Sequence, residues 1–142
     1  MKIILISHSN MAVGMKQTLS MIVGDNKEVM AFAAYINNDT SSIEKVKKFV
    51  SENSKEQIII LTDLLGGSVN NEMMQLLKNH SNLYVITGMN LPLAMQLQIW
   101  QQSNESISDD QLENIINDSQ KALIDVNKLV LKERMNTDDQ IL

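Results

Sequence analysis

Ile58–Asn71, IIILTDLLGGSVNN, sets the fold class of this chain. A strand over Gln57–Thr62 runs into a carboxylate, Asp63, then two glycines and a serine suited to start a helix. A short continuous apolar run bounded by turn residues reads as a strand buried on both faces, which is how parallel strands look in sequence. One other stretch ends comparably: Lys2–Ser7, KIILIS, which stops at His8. If the two are neighbours in one sheet, His8 and Asp63 emerge side by side at its carboxyl edge.

Working outward, Asn10 is placed to cap a helix with Ala12, Met15, Leu19, Ile22 and Val23 on one side, closed by Gly24 and Asp25. Glu28–Ile36, containing VMAFAAY, reads as the second strand, with Asn37, Asn38 and Asp39 turning out of it. Ser42 opens a helix that turns Ile43, Val46, Phe49 and Val50 inward and leaves Glu44, Lys45, Lys47 and Lys48 in solvent. Past Gly67, Ser68 is a good cap for a helix carrying Val69, Met73, Leu76 and Leu77. Leu83–Thr87, LYVIT, is the fourth strand; Asn90 then caps a helix with Pro92 in its first turn, running to about Gln101. Ser108 and Gln111 form a capping box for a helix with Leu112, Ile115, Ile116, Ser119 and Leu123 inward. Val126–Lys132, VNKLVLK, reads as a short fifth strand, and residues 135–142 as a loosely held tail.

This order predicts one α/β domain over residues 1–134, an open, doubly wound, mainly parallel sheet. The flavodoxin-like strand order 2-1-3-4 puts strands 1 and 3 together at the topological switch point, where such sheets bind ligands.

Composition narrows the function. The 142 residues suffice for one core, and 44% hydrophobic with 20% charged residues is ordinary for a globular protein. No cysteine is present, which excludes disulfides, thiolate metal sites and cysteine nucleophiles. The N-terminal apolar run, Ile3–Ile6, is too short for a signal sequence or a membrane span, so a cytoplasmic protein is expected. A formal charge of −5, and lysines without interleaved aromatics, argue against nucleic-acid binding. Among the ten methionines, Met21, Met73 and Met74 fall within helical apolar patterns, and core filling is the better reading than an adaptable binding surface.

An imidazole beside a carboxylate has a specific use. The carboxylate accepts a hydrogen bond from one ring nitrogen, fixes the tautomer and leaves the other nitrogen's lone pair outward as nucleophile or base. Gly66 and Gly67 allow close backbone approach, and the helix after them points amides at the same crevice, which favours anions. Ser68 suits either a cap, the simpler reading, or a phosphate contact. The blander account of the pair, a turn histidine and a turn-capping aspartate, is weakened by their joint placement at two switch-point strand ends. His80 is explained by the end of its surface helix. GGSVNN is neither a GxGxxG nor a GxxxxGK[ST] motif, no GxSxG occurs, and two distant histidines do not make a metal site, so no cofactor or metal is expected. A receiver domain would need acidic residues where this chain has Ser7, His8, Ser9 and Asn10. Met11, Leu64, Leu65 and Leu91 either form a small apolar docking rim or lie buried beneath the loops.

At KIILISHSNMAVG, IIILTDLLGGSVNN and YVITGMNLPLA, in that order, the sequence resembles the IIA component of the mannose-type (mannose/fructose/sorbose) sugar phosphotransferase system. The resemblance implies a phosphocarrier whose phosphorylated histidine falls on His8, at Nε2, and whose partner carboxylate falls on Asp63. The loop residues fall on Gly66, Gly67 and Ser68, and the Asn-Leu-Pro turn on Asn90, Leu91 and Pro92. The implied partners are HPr as donor, a IIB component on a separate chain as acceptor and, indirectly, membrane IIC and IID subunits. A homodimer exchanging the last strand is also implied, with Val126–Lys132 as candidate. The chain departs from the pattern at Ser9, where a glycine often follows the histidine, and at Val69, where a proline often follows Gly-Gly-Ser. A related branch serves dihydroxyacetone kinase through a similar histidine, and outside the family the same crevice would suit a non-enzymatic anion-binding module.

Overall fold

Alternation along the apolar runs determines the architecture. In β1 (Lys2–His8) and β3 (Ile58–Thr62), Ile3, Leu5, Ile59 and Leu61 face one layer, while Ile4, Ile6, Ile58 and Ile60 face the other. All eight are at most 2% exposed, so both faces of these strands must be covered. The computed structural model, which describes residues 1–141 and side chains through residue 138, meets that demand with helices on both sides. The sheet is parallel throughout, in the order β2-β1-β3-β4, where β2 is Val29–Ala34 and β4 is Leu83–Thr87.

One layer packs α1 (Met11–Ile22), α4 (Leu91–Ser103) and α5 (Asp109–Gln120) on the sheet through Ala12, Leu19, Leu93, Leu97 and Leu112. The other packs α2 (Ser41–Glu52) and α3 (Ser68–Gln75) through Ile43, Val46, Val50, Val69 and Met73. Short 3-10 turns, Ile36–Asn38 and Leu76–Lys78, follow β2 and α3. No helix among the described residues is long and apolar enough to cross a membrane.

Two helix starts are built differently from their sequence reading. Asn10 makes no side-chain cap; the buried Ser7 hydroxyl accepts from the Ala12 amide instead, at 2.8 Å. At α2 the carboxylate of Asp39 accepts from the Ser41 amide and hydroxyl at 2.9 and 2.7 Å, while Ser42 donates to the Ala33 carbonyl at 2.8 Å. Asn90 and Ser108 cap as expected, accepting from the amides of Leu93 and Gln111 at 2.9 and 3.2 Å.

The expected fifth strand is not one. Val126–Ile141 is a helix, α6, which replaces the strand at Val126–Lys132 and takes in residues 135–141 of the expected tail. Residue 142 lies outside the described residues. VNKLVLK is compatible with both periods, since Val126, Leu129 and Val130 also match helical spacing. The choice falls to its surroundings. Asp125 accepts from the amides of Asn127 and Lys128, the helix formers Leu, Lys, Glu, Arg and Met follow, and none of the four described strands pairs with the segment. With no fifth strand, the basis for strand exchange goes too. Leu123, expected inward, is 94% exposed because α5 stops at Gln120.

Candidate functional site

The parallel order gathers every strand's carboxyl end at one edge and puts the topological switch point, where such sheets bind ligands, between β1 and β3. β1 ends on His8, and β3 ends on Thr62, one residue before Asp63. Their backbone pairing runs only to Ile6 opposite Thr62, and the His8 amide finds its acceptor in the Asp63 side chain, at 2.8 Å from Oδ2. The same oxygen lies 2.7 Å from His8 Nδ1, and Oδ1 accepts from the Leu64 amide at 3.0 Å. Burial pushes the Asp63 carboxyl up, but the His8 amide, the His8 ring and the Leu64 amide together outweigh it and hold the group below the ordinary carboxylate range. Asp63 is thus an anion with three hydrogen bonds and an 8% exposed side chain.

A carboxylate only accepts, so Nδ1 carries the proton and Nε2 the lone pair. The Ser68 hydroxyl lies 3.0 Å from Nε2 and donates to it. Ser68 therefore does not cap its helix: α3 is preceded by Gly67 in extended conformation, with no side-chain cap, and the serine is spent on the imidazole. Asp63, His8 and Ser68 form one chain of hydrogen bonds, with the imidazole 42% exposed at its centre.

Two glycines shape the loop between β3 and α3. Gly66 has φ +81°, a region that side chains disfavour, and a Cβ on Gly67 would lie 3.0 Å from Leu64 Cδ2 and 3.3 Å from His8 Cε1. Below the loop, the fully buried Thr62 hydroxyl donates to Asn70 Oδ1 at 2.7 Å and ties α3 to the end of β3.

Of the expected apolar rim, Met11, Leu64 and Leu65 are exposed at the loops, and Leu91 is half-buried against the core. His80 precedes β4, at the opposite edge of the sheet, with Nδ1 buried and unpaired. One neighbour was missed in sequence: the Tyr35 ring lies 5.5 Å from the His8 ring, centroid to centroid, tilted by 33°. The available signal was positional, because the first residue beyond β2 also reaches this edge.

Fold and site together define a flavodoxin-like α/β domain with an oriented imidazole at its switch point. Residues 2–116 match the family EIIA-man, described as PTS system fructose IIA component, and the chain belongs to that family of phosphotransferase-system IIA components. It is 33% identical over 92 residues to the PTS system sorbose-specific EIIA component of Klebsiella pneumoniae, across 64% of this chain and 67% of that protein. Among solved structures, it is similar to the phosphotransferase system component EIIA of Streptococcus agalactiae, with 27% identity, a TM-score of 0.75 and coverage of 89% and 98% of the two chains. It is also similar to the PTS IIA protein associated with the fucose utilization operon of Streptococcus pneumoniae, with 26% identity, a TM-score of 0.72 and coverage of 91% and 95%.

Proposed function

We propose that this protein is a cytoplasmic phosphocarrier. His8 takes a phosphoryl group at Nε2 from phosphorylated HPr and passes it to a IIB component, in a phosphoenolpyruvate-dependent system whose IIC and IID subunits move the sugar. Membership of the EIIA-man family supports the class, and similarity to a sorbose-specific component favours the sugar-uptake branch over the dihydroxyacetone-kinase branch. One observation carries the assignment to His8: Nδ1 is committed to Asp63 at 2.7 Å, which leaves the Nε2 lone pair on the outward edge of an exposed ring.

The chemistry is an in-line displacement. The Nε2 lone pair forms a bond to phosphorus while the bond between phosphorus and the donor nitrogen breaks, returning its electron pair to the donor. The product ring is cationic, retains Nδ1–H and is stabilised by the Asp63 charge. Donation to IIB reverses these steps. Ser68 must release Nε2 first, and its hydroxyl is then within reach of the phosphoryl oxygens, beside the free amides at the start of α3. Catalysis by positioning and electrostatic support suffices, since both reacting groups arrive on folded proteins. Exposed Met11, Leu64 and Leu65 give the partners a small apolar rim suited to transient docking.

Incubation with phosphoenolpyruvate, enzyme I and HPr is expected to place acid-labile, base-stable phosphate on His8, and the His8→Ala variant is expected to take none. Undiminished labelling of that variant overturns the assignment. Acid-stable, base-labile phosphate on Asp63 would mark receiver chemistry instead.

A further inference from the structure

Three groups hold the His8 ring, and only two of them survive its phosphorylation. Asp63 holds Nδ1 and Ser68 holds Nε2, but a phosphorylated Nε2 has no lone pair left to accept the serine's proton. A single hydrogen bond at one edge leaves an imidazole free to rock about its Cβ–Cγ bond. The remaining restraint is the neighbouring Tyr35 ring, with centroids 5.5 Å apart and planes tilted by 33°.

The backbone around Tyr35 is unusually determined for a loop. Ala34 is the register partner of His8, and the Ser9 amide donates to the Ala34 carbonyl at 2.9 Å, so Tyr35 leaves β2 directly opposite the site. It does so at φ 60°, ψ 25°, a left-handed conformation that a bulky side chain adopts only when its surroundings impose it. Its amide donates to the Asp39 carbonyl at 3.1 Å, Asp39 is anchored to Ser41, and the ring packs against buried core residues of the α2–α3 layer. Continuing β2 in extended backbone would alternate the side chain away; the left-handed turn keeps the aromatic ring beside the imidazole.

The geometry points to Tyr35 as a positioning residue for phosphoryl transfer, its ring keeping the His8 imidazole aimed in both the free and the phosphorylated states. The inference rests on His8 being the phosphoryl acceptor. A neighbouring aromatic ring is suited to the task because phosphorylation makes the imidazole cationic, and the 5.5 Å between centroids is within the roughly 6 Å over which a cation is attracted to a ring. The restraint therefore strengthens at the step where Ser68 lets go.

The test combines transfer kinetics with NMR. Tyr35→Asn removes the ring but suits a left-handed backbone, and Tyr35→Phe keeps the face. With saturating phospho-HPr, and with IIB as acceptor, Tyr35→Asn is expected to lower the first-order transfer rate about fivefold with little change in KM, while Tyr35→Phe stays within about twofold of wild type. In the wild-type chain, cross-relaxation between Tyr35 and His8 ring protons is expected both before and after phosphorylation. Equal rates in Tyr35→Asn and wild type, or loss of that cross-relaxation on phosphorylation, overturns the inference while leaving His8 as acceptor. Equal slowing of Tyr35→Phe and Tyr35→Asn overturns it too, because the phenol oxygen and not the face would then matter. A wild-type chain that takes no label on His8 removes both the inference and the reading beneath it.

Discussion

Asp63 Oδ2 serves two hydrogens of one residue, the amide and the ring Nδ1–H of His8, so the carboxylate fixes backbone and imidazole together. Its folded-state pKa lies below the ordinary value, so its contribution to stability is fully present above the unfolded carboxylate pKa of about 3.9 and is lost as pH falls through the lower folded value. Asp63→Asn is expected to cost ~1–3 kcal/mol at pH 7. Its unfolding curve should begin to approach that of wild type only below about pH 4, as the Asp63 carboxyl takes up its proton, which urea titrations from pH 7 downward would measure. A gap that stays constant with pH would remove the charge from the account. Gly67→Ala probes the ring from another side. The Gly67 backbone, at φ −69°, accepts alanine, and the exposed Leu64 is free to swing away from the new Cβ. His8 Cε1, 3.3 Å from that Cβ, is not, because its ring is held at both nitrogens. The expected outcome is stability within about 0.5 kcal/mol of wild type and phosphoryl transfer slowed about tenfold, read by thermal unfolding and rapid-quench labelling.

At the scale of elements, what the sequence disclosed was whatever periodicity governs. The strands at Lys2 and Ile58 are apolar at successive positions because both faces are covered; that pattern implied parallel strands, and the alternation of strands and helices with the order 2-1-3-4 implied the meeting of His8 with Asp63. Polar side chains were less legible, because a hydroxyl's partner depends on tertiary placement. Ser68, a good cap by composition, bonds His8 across 60 positions of sequence, and Ser7, inconspicuous at a strand end, anchors α1. Tyr35 was hidden in an apolar run that gave no sign of turning left-handed, although Asn37 and Asn38, with φ 52° and 60°, are residue types that tolerate that region. The bond between Thr62 and Asn70 belongs to the same hidden class and aims α3 at the site. Thr62→Val conserves shape but strands a buried Oδ1. It is expected to cost ~1–3 kcal/mol by urea denaturation and to slow labelling of His8, as the start of α3 loses its tie to β3. Wild-type stability in that variant would show that α3 is aimed by packing alone.

For the molecule as a whole, burial ends well before the chain does. Among the residues whose burial is described, Ser119 is the last buried one, every one from 120 to 138 is exposed, and the family match stops at residue 116. α6 therefore adds almost nothing to the core, and a helix of its length standing alone is marginal in water. Folding free energy follows buried apolar surface, and both core layers are complete with α5. A chain ending at Asp125 is accordingly expected to fold with a Tm within about 2 °C of the full chain, an effect of under ~0.5 kcal/mol, and to be labelled on His8 by phospho-HPr at the same rate. Calorimetry and rapid-quench labelling on the shortened chain check both halves. A large drop in Tm would mean that α6 packs against the domain in solution. Unchanged Tm with slowed labelling would bring α6 into donor docking, although it follows α5 and its side chains from 126 to 138 are exposed.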